Sequence, residues 1–460
     1  MSAKSITFDR FDMGIDLRKG ASVADANRLR EMKNAYVTTG LATQKRPGLI
    51  KVATLEPGTK GLFAAFGKLN TFSGGAVTHA NALFNCYKLE FENRAIKQVW
   101  FADVFNAHVY ASVEYENGVV KHHYTDNGAT LISDANCPHS KAAIKADSKI
   151  FATKGEVVRF SKTNAPRDWT TANDAGFLPT GLQFRGDREA NALGIYQNNL
   201  VVLSRDSAQI WNTDPDPTAM SLIDQVYNVG TSYPRTVTNV GGDLYFLSDY
   251  GFRSITTLQY TNNLADVDIG SPIDVLVRNE IKTNSNVPMS YYYYGTGQYL
   301  CMIGNRIFVY SISRTSKIAA WSRYELPINA DAFAELNGQL YIRSGDDVYR
   351  LSEEASDDNG QAYEVLLELP YMDLKAPGQL KRILGTDIVM DGECYFSVAY
   401  DVRNPRAVTP AVKVKGNTRP NGVVPVECAG TEFSLRFRNM SKKPFRLDAV
   451  TIYYESMGAI

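Results

Sequence analysis

Residues 198–211, NNLVVLSRDSAQIW, carry the pattern that decides the fold. The apolar run at 200–203 is followed by turn-forming residues at 204–207, and a second apolar run begins at 208. A short apolar run bounded by turn residues predicts a strand that is buried on both faces. Because an isolated hairpin is only marginally stable in water, this strand–turn–strand unit must belong to a larger assembly of sheets.

The same strand–turn–strand pattern occurs six times, with central turns at Asn117, Gly155, Asp206, Tyr250, Asn305 and Asp346. Successive turns are 38, 51, 44, 55 and 41 residues apart. Hairpins repeating every 40–50 residues or so predict an all-β fold, a β-propeller of about six blades. A generic all-β protein remains the alternative, because the spacing is uneven and neither a WD nor a kelch signature marks the blades.

Composition changes along the chain predict three regions: an N-terminal extension at 1–60, the propeller at 61–355 and a C-terminal β-sandwich-like module at 356–460. Residues 22–33, SVADANRLREMK, predict a short helix with Ser22 as its N-cap. A second helix is predicted within 269–284, with Pro272 at its first position. Residues 61–100 are ambiguous between a first blade and a strand pair that closes the ring. The acidic, turn-rich residues 353–361 indicate the boundary between propeller and C-terminal module.

Charge and cysteine content exclude several classes of protein. Lysine plus arginine and aspartate plus glutamate both number 49, so no basic domain indicates nucleic-acid recognition. Near-zero net charge instead favours association. The five cysteines are scattered and no Cys/His zinc spacing occurs, which predicts reduced thiols and no metal. We see no signal peptide and no apolar run long enough to span a bilayer, so no membrane insertion is expected.

No catalytic motif or cofactor fingerprint is present, so we expect no enzyme activity and no cofactor. His122 and His123 are adjacent in a predicted strand and point to opposite faces, so they cannot easily share one metal ion. The remaining histidines are isolated and are interpreted as surface or core residues: His79, His108 and His139. Asp214 and Asp216 lie in a proline-rich loop, which favours a turn over a calcium site.

Four consecutive tyrosines, Tyr291, Tyr292, Tyr293 and Tyr294, form an unusual strand. A half-buried propeller strand is one interpretation. An aromatic contact patch is the other, because tyrosine is enriched at protein interfaces.

The N-terminal residues 12–49 resemble the opening of tail-tube and nozzle proteins of tailed bacteriophages. In those proteins a "GG-hNLR" strand, an "A-x-x-h-x-N-h" segment and a "G-x-h-x-x-RPG" turn follow one another. The counterparts here are residues 14–18, residues 35–37, and Gly40-Leu41 with Arg46-Pro47-Gly48, although the glycine pair is reduced to Met13-Gly14. Residues 192–212 and 230–253 resemble blades of the family, Trp321 lies where it has a blade tryptophan, and the end, FRLDAVTIYYE, resembles its closing strand.

Among these proteins, the chain resembles the tail hub or nozzle proteins of short-tailed phages, also called packaged DNA stabilisation proteins. The resemblance implies a virion protein, made in the bacterial cytoplasm, of which six copies form a ring below the portal and adaptor. Such a ring continues the channel for double-stranded DNA, retains the packaged DNA without reading its sequence, and holds the tail needle or tip and the fibres or spikes.

Residues for these contacts are predicted only broadly. The basic N-terminal residues Arg28, Arg30, Lys45 and Arg46 are candidates for docking an adaptor or a neighbouring subunit, and a solvated surface is the alternative. The aspartates 214 and 216 and the tyrosines 291–294 are candidates for subunit or fibre contacts. Two other functions remain open: a glycan-binding or glycan-cleaving propeller, which needs a carboxylate pair in a cleft, and a kelch-like interaction platform.

Overall fold

Seven groups of three or four strands, the blades, account for residues 48–352 of the computed structural model, which describes residues 3–75, 81–184, 186–256, 268–404, 406–419 and 422–459. The N-terminal strands are β1 (Lys4–Phe8), β2 (Glu31–Lys33), β3 (Ala35–Val37), β4 (Thr43–Lys45) and β5 (Gly48–Thr54). Blades 1 to 3 are β6 (Thr59–Ala65), β7 (Lys68–Ser73) and β8 (Phe84–Lys88); β9 (Ile96–Phe105), β10 (His108–Tyr115) and β11 (Val120–Tyr124); and β12 (Ala143–Ala146), β13 (Lys149–Lys154), β14 (Val157–Phe160) and β15 (Gly176–Leu178).

Blades 4 to 7 continue in chain order. They are β16 (Ala192–Tyr196), β17 (Asn199–Leu203), β18 (Ser207–Asn212) and β19 (Ser221–Tyr227); β20 (Thr238–Val240), β21 (Asp243–Ser248) and β22 (Gly251–Ser254); β23 (Met289–Tyr293), β24 (Gln298–Ile303), β25 (Arg306–Ser313) and β26 (Ile318–Glu325); and β27 (Ala332–Leu336), β28 (Gln339–Ser344) and β29 (Asp347–Ser352). A helix, α1 (Asp274–Thr283), lies between blades 5 and 6.

The blades form a closed ring, which confirms the predicted β-propeller. The first strand of each blade contacts the first strand of the next, and β27 of blade 7 contacts β6 of blade 1. Seven apolar clusters fill the seven interfaces between neighbouring blades, and the cluster between blades 5 and 6 is continuous with the sandwich core. The described residues therefore form seven blades, one more than the six units counted in the sequence.

All six repeated units form antiparallel pairs of the second and third strands of blades 2 to 7. In β17, Leu200 and Val202 pack toward blade 3, whereas Val201 and Leu203 pack toward blade 5. The seventh blade comes from the ambiguous region 61–100. Its third strand, β8, pairs parallel with β7, so it lacks the hairpin pattern that identifies the others.

The N-terminal region closes the ring. Strand β5 pairs antiparallel with β29 and becomes the outermost strand of blade 7, although the two are about 300 residues apart in sequence. Such pairing leaves fewer unprotected sheet edges.

The C-terminal strands form a two-sheet sandwich, as predicted. They are β30 (Val365–Glu368), β31 (Gln379–Asp391), β32 (Glu393–Ala399), β33 (Val412–Lys415), β34 (Cys428–Gly430), β35 (Ser434–Asn439) and β36 (Arg446–Ala459). One sheet has the order β3-β4-β36-β31-β34, with β1 also paired to β36. The other is continuous with blade 6 in a nine-stranded sheet of order β23-β24-β25-β26-β2-β30-β35-β32-β33. Strand β2, from the N-terminal region, thus joins the propeller to the sandwich.

The helix predicted at 22–33 is wrong: these residues form turns, a bridge at Leu29 and strand β2. Two apolar residues of that stretch, Leu29 and Met32, are buried in the sandwich core. Sheet pairing with β26 and β30 overrides the local helical pattern. The second predicted helix is confirmed as α1, although it begins at Asp274, after Pro272.

Candidate functional site at the propeller axis and the sandwich junction

A cavity of about 330 Å³ lies on the propeller axis, surrounded by the first strands of the blades. Its wall is mainly apolar and includes Leu62, Phe63, Val99, Phe101, Ile144 and Phe333. This volume is in the range of a site for a small molecule, so the axis of one propeller is far too narrow for a DNA duplex.

The charged residues of this wall are basic. Lys141 lies over the Trp100 ring at 4.6 Å and pairs with Glu114 at 3.2 Å. Arg235 donates to the Asp331 carbonyl at 3.0 Å, and burial lowers the pKa of Arg235 to about 10. Among the described residues, no aspartate or glutamate lines the cavity. The wall thus lacks the carboxylate pair of a glycosidase.

A second site is the junction between propeller and sandwich, where Arg46 is 1 % exposed. Its guanidinium forms a bidentate ion pair with Asp358, at 2.8 Å (Nη1–Oδ1) and 2.5 Å (Nη2–Oδ2). It also donates to Asn34 Oδ1 at 3.0 Å and lies 3.8 Å from the centre of the Tyr363 ring. Asp358 belongs to the acidic segment that the sequence indicated only as a boundary; its carboxylate also accepts the Leu49 amide at 3.1 Å.

Lys45 is buried beside Arg46. Its ammonium donates to the Ser441 carbonyl at 2.6 Å and to Asn439 Oδ1 at 3.3 Å, and lies 4.3 Å from the Tyr363 ring centre. Burial and the neighbouring Arg46 lower the pKa of Lys45 to about 8. The burial of both side chains corrects their assignment to a partner-binding surface: their charges are used inside the subunit.

Gly14 and Trp321 form the other part of the junction. Gly14 has φ of +57°, and a Cβ atom there would lie 2.4 Å from the Trp321 carbonyl oxygen. That carbonyl accepts the Ile15 amide at 2.8 Å. The Trp321 ring is stacked between Phe252 and Tyr310, with centroids at 4.8 and 4.6 Å. Glycine is therefore required where the N-terminal segment crosses blade 6.

Arg28 and Arg30 lie at the edge of the same junction. Arg28 forms ion pairs with the buried Asp16 and, at 3.0 Å, with Asp25. Arg30 is half-buried, and its amide donates to the Glu368 carbonyl at 2.8 Å. Much of the Arg28 charge is thus neutralised within the subunit, and a partner contact by either arginine stays a prediction.

The two loop aspartates organise a turn at the outer end of blade 4. Asp214 accepts the Asp216 amide at 2.8 Å, and Asp216 caps a short 3₁₀ helix by accepting the Thr218 amide at 2.9 Å. The geometry agrees with the turn interpretation. Because Asp216 is exposed, its role in a partner contact stays a prediction.

The four tyrosines divide between the interior and the surface. The Tyr291 hydroxyl accepts the Glu335 amide at 3.0 Å, and the Tyr293 hydroxyl donates to the Gly338 carbonyl at 2.9 Å, so both fix blade 6 against blade 7. Burial raises the pKa of Tyr291 to about 12. Tyr292 is half-buried, and Tyr294, which packs edge-on to it at 4.7 Å, is 69 % exposed. Of the four, Tyr294 offers the largest surface to a partner.

No family model matches the chain, and no curated protein matches it. Solved structures that are similar include BamB from Moraxella catarrhalis, at 11 % identity over 76 % of this chain and 96 % of that chain (TM-score 0.37). Another is an exo-beta-1,3-galactanase from Phanerochaete chrysosporium with galactose, at 10 % identity, 78 % and 96 % coverage and TM-score 0.30. A third is YCF48 bound to D1 peptide, at 12 % identity, 67 % and 95 % coverage and TM-score 0.38.

At these identities and TM-scores, the likenesses carry no argument about function. The fold assignment rests on the closed ring of sheets described above. Within the described part of the chain, no helix has the length and apolar character needed to cross a membrane.

Proposed function

We propose that this chain is a structural virion protein: the subunit of a ring-forming tail hub or nozzle that continues the DNA channel below the portal and adaptor. The observation that carries the proposal is the position of the motif residues on which the resemblance rests. Gly14, Arg46, Gly48 and Trp321 all lie at the junction of N-terminal segment, propeller and sandwich. Gly48 is also required there, because a Cβ atom would lie 2.0 Å from the Asp357 carbonyl oxygen.

The architecture supports a mechanical role. The nine-stranded sheet joins propeller and sandwich through backbone hydrogen bonds, and buried ion pairs reinforce the joint. A subunit built in this way transmits force between tail parts without a flexible linker. Because the propeller axis is too narrow for a duplex, DNA would pass between copies arranged in a ring. The zero net charge suits a channel that releases DNA, since phosphate neutralisation by cations is what drives non-specific binding.

A non-enzymatic role is part of this proposal. It is supported by the axial cavity, whose described wall offers basic residues and apolar surface but no carboxylate pair. A glycan-binding or glycan-cleaving propeller is the alternative. This alternative is tested by incubating the protein with a panel of oligosaccharides, followed by chromatography and binding measurements. Stoichiometric binding or cleavage would support the alternative and contradict our proposal.

Electron microscopy and native mass spectrometry of the purified chain, alone and mixed with a portal–adaptor complex, test the proposal directly. We expect a closed ring, six-fold by the resemblance, with an opening wide enough for a duplex. A chain that stays monomeric under both conditions contradicts it.

The exposed Tyr294 gives a sharper version of this experiment. If it lies in a subunit contact, Tyr294→Ala reduces ring formation without changing the melting temperature of the subunit. Tyr250→Ala is the matched control, because Tyr250 is 65 % exposed on blade 5 and belongs to none of the predicted contacts. Equal ring formation by the two variants would show that Tyr294 does not lie in the subunit interface.

A further inference from the structure

Three potential metal ligands meet at the interface between blades 2 and 3. His122 lies on β11, and Cys137 and His139 lie on the loop that leads to β12. One ligand atom from each residue lies within 4.8 Å of the other two. We propose that His122, Cys137 and His139 form a zinc-binding site that fastens blade 2 to blade 3.

The two sulfur–nitrogen distances suit a tetrahedral ion. The Cys137 sulfur lies 3.7 Å from Nδ1 of His122 and 3.6 Å from Nδ1 of His139. Zinc binds sulfur at about 2.3 Å and imidazole nitrogen at about 2.0–2.1 Å, so sulfur and nitrogen ligands of one tetrahedral ion are about 3.5 Å apart. The sulfur–nitrogen distances therefore need little adjustment.

The His122 ring is held in the orientation that a metal ligand needs. Its Nε2 lies 2.8 Å from the Ser140 carbonyl oxygen. A carbonyl only accepts, so Nε2 carries the proton and the lone pair is on Nδ1, the atom nearest Cys137. A second hydrogen bond of this kind is typical of metal-binding histidines. The Tyr110 hydroxyl, 2.8 Å from Nδ1, donates to that lone pair, so an ion bound to Nδ1 would displace this hydrogen bond.

His139 can also act as a zinc ligand, but it would lose one hydrogen bond. Its Nδ1 accepts the backbone amide of His122 at 3.1 Å, so this nitrogen also carries a lone pair. An ion bound to Nδ1 would compete with that amide. His139 is half-buried while the other two residues are buried, which makes its side the entry path.

Without an ion, the two imidazoles are already in the neutral form that binds zinc, whereas the cysteine is in the thiol form that must first lose its proton. Burial lowers the pKa of His122 to about 3 and that of His139 to about 4, so both rings are neutral at physiological pH. Burial also raises the pKa of Cys137 to about 12, so without an ion the thiol is protonated. When zinc forms its bond to sulfur, the S–H bond breaks and the proton leaves to the solvent. Each ion bound therefore releases one proton from this site.

This site was not visible in the sequence. Cys137 and His139 are separated by one residue, and His122 comes 15 residues before Cys137, which matches no standard zinc spacing. The adjacent His122 and His123 have different partners: His122 contacts Tyr110, whereas His123 contacts Tyr115 at 2.7 Å. His79 lies outside the described residues.

Titration of the purified, tag-free chain with Co²⁺ and Zn²⁺ tests the proposal. We expect one equivalent of Co²⁺ to produce a thiolate-to-cobalt charge-transfer band, and one equivalent of Zn²⁺ to abolish it. Calorimetry of Zn²⁺ binding in two buffers of different ionisation enthalpy should give about one proton released per ion.

Two matched pairs of variants locate the ion. Cys137→Ser should remove the band, whereas Cys394→Ser should keep it, because Cys394 is buried in the sandwich beside Met390. His139→Asn should weaken Zn²⁺ binding at least tenfold, whereas His108→Asn should not change it. Asparagine tolerates the positive φ of 47° at position 139, so this variant is expected to fold.

A folded wild-type chain that binds no stoichiometric Co²⁺ or Zn²⁺ overturns the proposal and leaves the three residues as a hydrogen-bonded core cluster. Equal binding by wild type and His139→Asn also overturns it, by placing the ion elsewhere. Neither result affects the proposed virion function, which is tested by ring formation.

Discussion

Blade 4 and the junction are both buried and both essential to the fold, but their interiors differ. In blade 4 the residues 200–203 are apolar, fully buried, and pack alternately on blades 3 and 5. At the junction, Arg46, Lys45 and Asp358 are buried as polar or charged groups whose partners come from distant parts of the chain. Blade 4 is stabilised by removal of apolar surface from water, which needs no particular partner. The junction depends on specific pairing, because an unpaired buried charge is costly.

This difference means that the two regions respond differently to substitution. A blade loses stability in proportion to the apolar volume removed. The junction loses stability whenever one member of a pair is removed, even where little volume is lost. The four predictions below test this contrast, from the largest expected effect to the smallest.

Arg46→Ala should lower the free energy of unfolding by about 3–5 kcal/mol, because it leaves the Asp358 carboxylate buried without its cation. Urea denaturation measures the change. Arg446→Ala is the control: Arg446 and Asp448 form a partly exposed pair at 3.0 Å, for which about 0–1 kcal/mol is expected. Similar losses for both variants would show that burial of the Arg46 pair does not matter.

Leu200→Ala should cost about 3 kcal/mol, within the usual range for deleting a buried leucine side chain. The control is Leu182→Ala, since Leu182 is 79 % exposed, and a surface change of this kind is expected to stay within about 0.5 kcal/mol. If removing Leu200 were harmless, the buried apolar run would not be the source of blade stability.

Gly14→Ala should be more destabilising than Gly67→Ala by about 2 kcal/mol. Both glycines have positive φ, so both variants carry the cost of about 1 kcal/mol for a left-handed alanine. Only Gly14 faces the Trp321 carbonyl, however; a Cβ at Gly67 meets nothing within 4 Å. Thermal or urea unfolding of the two variants gives the difference, and equal values would contradict the close approach at the junction.

The stability of the wild type relative to Lys45→Met should rise between about pH 8 and pH 9.5 by about 1–2 kcal/mol. The reason is that the folded-state pKa of Lys45, about 8, lies below its unfolded value of about 10.4. In this window the unfolded chain binds more protons, so raising the pH favours the folded state. Below about pH 8 both states are protonated and the difference is expected to level off. Urea unfolding of both proteins across this range measures it; a flat difference would mean that Lys45 titrates normally.

The sequence predicted most of the propeller because the relevant signals are local. Each hairpin of blades 2 to 7 lies within one short window in which apolar runs and turn residues alternate. Blade 1 was not predicted, because its third strand follows a connection of about ten residues and pairs parallel with the second strand. The helix predicted at 22–33 failed for the opposite reason: a local pattern was present, but pairing with β26 and β30 determined the structure.

The candidate sites were less predictable, because charge alone does not indicate whether a side chain is exposed. Arg46 and Lys45 were predicted to be surface cations, yet each donates to an acceptor that lies more than 300 residues later in the chain. The four tyrosines show the same limitation to a smaller degree. Strand alternation predicted that their side chains point to the two faces of the sheet. It did not predict that the hydroxyls of Tyr291 and Tyr293 form hydrogen bonds with blade 7. The group of His122, Cys137 and His139 depends on the path of a loop that no residue pattern describes.

By itself, the sequence determined the all-β class and the repeated hairpins, because these follow from burial periodicity and turn chemistry within short windows. Only the tertiary structure decided the number of blades, the closure of blade 7 by β5, the burial of Lys45 and Arg46, and the meeting of two histidines and a cysteine between blades 2 and 3. These features depend on contacts between residues that are distant in sequence or joined by irregular loops. The energies of these contacts come from the pairing and desolvation of groups that meet only in the folded chain, so a local sequence pattern does not predict them.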